Sequence, residues 1–82
     1  MEEKQHKALS TVPAGEKVRL MRINAGGALS GRLAAMGLVR NVEITVIRNT
    51  HPGPFIVMAR GTKMVLGRGM ASKIVVTSPV HN

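Results

Sequence analysis

Apolar residues in this chain come in short runs, broken by polar residues and by turn-forming Gly and Pro. The longest unbroken run is "FIVMA", Phe55–Ala59. That is far below the ~18 residues a membrane-spanning helix needs. A chain punctuated in this way turns often and buries its apolar faces in small pieces. Its 82 residues are enough for one domain.

Most of the runs have the period of a strand. "VEITVIRN" alternates, with Val42, Ile44 and Val46 inward and Glu43, Thr45 and Ile47 outward. "KVRLMRIN" is less regular. Val18 and Leu20 share a face, but Met21 and Ile23 are apolar on the other phase, so either both faces are buried or a bulge near Leu20 shifts the phase. "PFIVMAR", "KMVLG" and "KIVVT" read as further strands, with Met64, Leu66, Ile74 and Val76 inward. "THPGPF" is a turn, because Pro52 and Pro54 around Gly53 cannot continue a ladder. Gly61 closes a hairpin, and "RGMAS" is a short break.

One stretch has helical period. After Gly26 and Gly27, Leu29, Leu33 and Met36 recur at i, i+4 and i+7. Gly37 stands where a left-handed C-cap belongs, and Leu38 is placed to make the hydrophobic contact of a Schellman ending. Five short strands with one helix between the first two are too few for a sandwich. They predict a mainly β, small five-stranded barrel, which removes exposed edges. Leu29, Leu33 and Met36 then cap one open end. Leu9 and Val12 pack across the mouth. Residues 1–8 read as a loose N-terminal tail, 9–77 as the domain and 78–82 as a C-terminal tail.

The composition limits the chemistry. Twelve Lys and Arg against four acidic residues give a net charge of +8, which favours an acidic face, anionic lipid or nucleic acid as partner. Phe55 is the only aromatic residue, so no platform exists for stacking bases. The arginines are dispersed along the chain. A basic nucleic-acid-binding small barrel is therefore the alternative reading. There is no Cys and no Asp, and Glu2 and Glu3 lie in the tail. His6, His51 and His81 fall in a tail, a turn and the C-terminus, so no catalytic constellation forms and no enzyme is expected. No tightly bound cofactor is expected either. His51 is the one metal candidate, at most a weak divalent site for Fe2+ or Zn2+. With no apolar run long enough for a signal peptide, a cytoplasmic protein is expected.

The order and spacing of "RLAAMGLV" at 32–39, "PGPFIV" at 52–57 and "RGTKMVLGRGMASKI" at 60–74 resemble the FeoA family, ferrous iron transport protein A of bacteria and archaea. The resemblance covers about residues 9–77. Arg40 and Asn41 stand where the family usually has Pro-Gly, and Met70 precedes Ala71 where an acidic residue is common. The resemblance implies an SH3-like barrel and a non-enzymatic accessory role in ferrous iron uptake. It implies docking on FeoB, a membrane transporter with a cytoplasmic GTPase domain, at the inner face of the membrane. Arg32, Leu38, Val39, Pro52, Gly53 and Pro54 are the partner-contact candidates, with Arg32 and Leu38 at the surface. Leu29, Leu33, Met36, Gly37, Gly61 and Ala71 are the structural positions. A weak homodimer through the "FIVMA" strand is a further expectation.

Overall fold

Two register shifts shape the sheet. The computed structural model describes residues 6–78, and residues 1–5 and 79–82, with most of the two expected tails and His81, lie outside the described part. Six strands are present: β1 (His6–Ala8), β2 (Lys17–Ile23), β3 (Glu43–Asn49), β4 (Phe55–Ala59), β5 (Thr62–Leu66) and β6 (Ile74–Thr77). They form one antiparallel sheet in the order β1-β6-β2-β3-β4-β5. The expected bulge in β2 is there: register slips between Leu20 and Arg22, leaving Met21 as the extra residue. A second slip, between Val46 and Arg48, leaves Ile47 over in β3. Bulges bend and twist a strand, so the sheet curls around its apolar face.

The sheet does not close. β1 and β5 are its two edges and do not pair with each other, so the expected closed five-stranded barrel is an open, curled six-stranded sheet. The extra strand is β1, all of which fell in the expected tail of residues 1–8. It is three residues long and pairs only with β6. A segment that short has no readable alternation. "FIVMA" is β4, flanked by β3 and β5. It has no free side for pairing with a second copy.

The core is aliphatic. Leu9, Val12, Val18, Leu20, Leu33, Ile44, Val46, Val57, Ile74 and Val76 are buried around Phe55. Leu9 begins a 3-10 turn, Leu9–Thr11, that brings Val12 over the same core. Helix α1, Gly27–Ala35, lies between β2 and β3, and a second, four-residue helix α2, Arg68–Ala71, buries Ala71. β4 and β5 meet in a two-residue turn, Arg60 (φ 54°) and Gly61 (φ 76°). Positive φ at both positions makes it type I′, whose twist matches that of the flanking strands.

The end of α1 differs from the expectation in an instructive way. Gly37 adopts φ 96°. The Leu38 N–H donates to the Leu33 carbonyl and the Gly37 N–H to the Ala34 carbonyl, both at 2.9 Å. This is a Schellman ending. It folds Leu38 back over Leu33, and both are fully buried. Leu38 is therefore a core residue and not a surface contact. Met36, expected in the core on helical spacing, is 43% exposed. It is the C-cap, and the left-handed turn gives its place to Leu38. Leu29 is half-buried against the core, as a residue near the helix start would be.

Candidate partner-docking groove

The bulge in β2 and the ending of α1 together open a groove. Its volume is about 340 Å³. Met21 and Ile23 come from β2, Ser30 and Ala34 from α1, and Val39 and Arg40 from the segment after the helix, with Leu20 and Leu38 at the base. Ser30 and Ala34 are four residues apart, on one helix face. The backbone here is held firmly: the Leu20 N–H donates to the Val42 carbonyl at 2.9 Å, and the Asn41 N–H to the Leu20 carbonyl at 2.7 Å. The wall after α1 is thus tied to the strand it faces.

The floor is apolar and the rim is basic. Val39 is 40% exposed. Arg22 donates from Nε to Asn24 Oδ1 at 3.3 Å, which holds its guanidinium at one end. Glu16 and Glu43 are the acidic side chains of the described residues, and both are engaged elsewhere: Lys7–Glu16 at 3.7 Å, Lys17–Glu43 at 3.9 Å and Arg19–Glu43 at 3.8 Å. Among the described residues, Arg22, Arg32 and Arg40 have no carboxylate within ion-pair distance. The groove side of the domain therefore carries uncompensated positive charge. A second depression, of about 360 Å³, lies on the outer sheet face between Lys17, Glu43, Met58 and Arg60.

The sequence-derived contact residues do not form one patch. Val39 lines the groove and Leu38 is beneath it. Arg32 is exposed in the last turn of α1, outside the lining. Pro52, Gly53 and Pro54 are exposed in the β3–β4 loop. A Cβ on Gly37 would meet Arg60 Cδ at 3.3 Å, so the end of α1 sits by the Ala59 end of β4. The loop precedes Phe55, at the other end of that strand. Five extended residues separate the two by about 13 Å. The loop is pinned from below. Arg68 Nη2 donates to the Thr50 carbonyl, its guanidinium lies 5.6 Å from the Phe55 ring centre, and Asn49 Nδ2 donates to the carbonyls of Ser10 (3.2 Å) and Val12 (2.8 Å). His51 is exposed in this loop. Among the described residues, no three His, Cys, Asp or Glu side chains come together. No helix there is long and apolar enough to cross a membrane.

Sequence reasoning missed Met21, Ile23, Ser30, Ala34 and Arg40 as groove residues. One signal was present: Met21 and Ile23 are apolar on the phase opposite Val18 and Leu20.

Residues 7–78 match the family model described as the FeoA domain. The chain belongs to the FeoA family. A curated relative, "Putative Fe(2+) transport protein A" of Methanocaldococcus jannaschii, is 38% identical over 68 residues, covering 83% of this chain and 82% of that protein. The crystal structure of an iron uptake regulatory protein (FeoA) superimposes with a TM-score of 0.83 at 27% identity, covering 89% of this chain and 97% of the other. A manganese-dependent transcriptional repressor gives a TM-score of 0.84 at 20% identity, over 96% of this chain and 45% of its own. At that identity the likeness shows the fold alone. The FeoA match takes in Lys7 and Ala8 of β1, so the family's domain begins before residue 9.

Proposed function

We propose that this FeoA-family chain is an accessory protein of ferrous iron uptake that docks on the cytoplasmic part of a FeoB-type transporter through the groove between α1 and β2. The observation that carries the reading is the groove itself, with Met21, Ile23, Ala34 and Val39 framed by Arg22 and Arg40. Burying the apolar floor supplies affinity. The uncompensated arginines steer an acidic face into register and raise the association rate. The lining includes Ser30 but no His and no carboxylate, so it offers a contact surface and no general base. The membership in a family with an Fe(2+) transport relative supplies the biological setting.

Calorimetric titration with the transporter's cytoplasmic GTPase domain tests this. Val39→Glu places a charge on the apolar floor and weakens binding tenfold or more. Arg40→Glu slows association and flattens its salt dependence. Pro54→Ala, at the far end of β4, leaves the affinity unchanged. Wild-type affinity in both groove variants would remove the groove from the mechanism.

A further inference from the structure

The outer face of the sheet holds a second surface, which the docking reading does not use. Ile47 is 40% exposed and Val65 is 66% exposed. The ladders bring them into one row. Arg48, beside the extra residue Ile47, pairs with Ile56, and Ile56 pairs with Val65. A parallel row runs Lys17, Thr45, Met58, Lys63. Both rows end at β5, an edge strand, whose far side carries no ladder among the described residues.

The register says which backbone groups are free there. A two-residue hairpin is closed by a hydrogen-bonded pair, here Ala59 and Thr62. Hydrogen-bonded and non-hydrogen-bonded pairs alternate along an antiparallel ladder. Thr62, Met64 and Leu66 therefore turn their N–H and C=O groups toward β4. Lys63 and Val65 turn theirs outward. Neither residue takes part in the hydrogen bonds made by turns, loops and caps among the described residues. The side chains of these two residues are exposed, as is that of Thr62 next to the turn, whereas Met64 is half-buried and Leu66 buried. An apolar row thus runs out to a strand edge whose open hydrogen-bonding groups flank Val65.

The surrounding charge says what fits. Lys63 lies in the edge strand itself, Arg48 in the row of Ile56 and Val65, and Arg60 in the β4–β5 turn, whereas Glu43 pairs with Lys17 and Arg19 toward β2. A second copy of this chain would bring the same cations and another +8 to the edge, which like-charge repulsion opposes. We propose that the open edge of β5 accepts an extended acidic segment of a partner protein as an added antiparallel strand. Main-chain bonds to Lys63 and Val65 hold the segment, and its outward side chains continue the two rows. In antiparallel register the residue opposite Val65 precedes the one opposite Lys63 by two positions. The recognised pattern is a β-branched residue, any residue, then a carboxylate.

The test needs no transporter, so its outcome is independent of the docking reading. The isotope-labelled protein is titrated with the blocked pentapeptide Thr-Val-Thr-Glu-Thr and followed by amide NMR and hydrogen exchange. The expected result is shifts centred on Lys63 and Val65, with slowed exchange of both amides. The peptide with Lys in place of Glu, and the order-reversed Thr-Glu-Thr-Val-Thr, bind about tenfold more weakly. Val65→Pro removes an outward donor while sparing the β4 ladder, and abolishes the shifts. If that variant does not fold, Lys63→Glu serves: it inverts the preference between the Glu and Lys peptides. Shifts elsewhere, no shift at millimolar peptide, equal binding of the three peptides, or self-association of the protein through β5 would each overturn the proposal.

Discussion

Leu38 and Val39 are neighbours with opposite assignments, and the difference is measurable. Leu38 is fully buried beneath the Schellman turn, and Val39 is 40% exposed on the groove floor. Leu38→Ala removes buried carbon and leaves a cavity that the tied backbone cannot collapse. Such substitutions cost about 2–5 kcal/mol, and the full burial here points to about 3. Val39→Ala removes two methyl groups from a site open to water. At ~0.8 kcal/mol per fully buried methylene, and with little more than half of the side chain covered, the loss is about 1 kcal/mol at most. Small domains lose about 4–8 °C of Tm per kcal/mol, so the Leu38 variant melts about 12–24 °C lower. The chain has no Trp or Tyr, so unfolding in urea is best followed by far-UV circular dichroism. Equal losses in the two variants, or a Leu38→Ala loss below about 0.5 kcal/mol, would refute the assignment of Leu38 to the core.

Two glycines in the same region respond with opposite signs. Gly37→Ala forces a side chain into φ 96° and against Arg60, so it destabilises by at least about 1–2 kcal/mol. Gly31→Ala, inside α1 with open space around a Cβ, stabilises by about 0.5–1 kcal/mol in the same denaturation assay. Asn49→Ala strips two carbonyls of their donor at a half-buried site and costs about 1–3 kcal/mol. Hydrogen exchange at Val12, whose N–H closes the 3-10 turn, rises with it.

What could be read from the sequence was whatever local pattern alone decides. The alternation of Val42, Ile44 and Val46 dictates which face of β3 is buried, and all three are buried. Gly37 announced the end of α1 because no other residue adopts its φ cheaply. The off-phase Met21 and Ile23 signalled the bulge. The rest depended on tertiary partners. β1 is a strand only because β6 offers it an edge. Met36 kept helical spacing in the sequence, but the chain left the helix one residue earlier, and Leu38 took the buried place. The contact residues at 32–39 and 52–54 looked like one surface because nothing local shows that β4 holds them apart. The groove itself needs β2 and the end of α1 to meet, and neither segment encodes that alone.

The most direct test of the docking account is a two-dimensional amide NMR titration of the labelled protein with the cytoplasmic GTPase domain of its FeoB-type transporter. The account predicts shifts concentrated on Met21–Ile23 and on Ser30–Arg40, the two walls of the groove. Shifts confined to the 51–54 loop, or none at saturating partner, would contradict it.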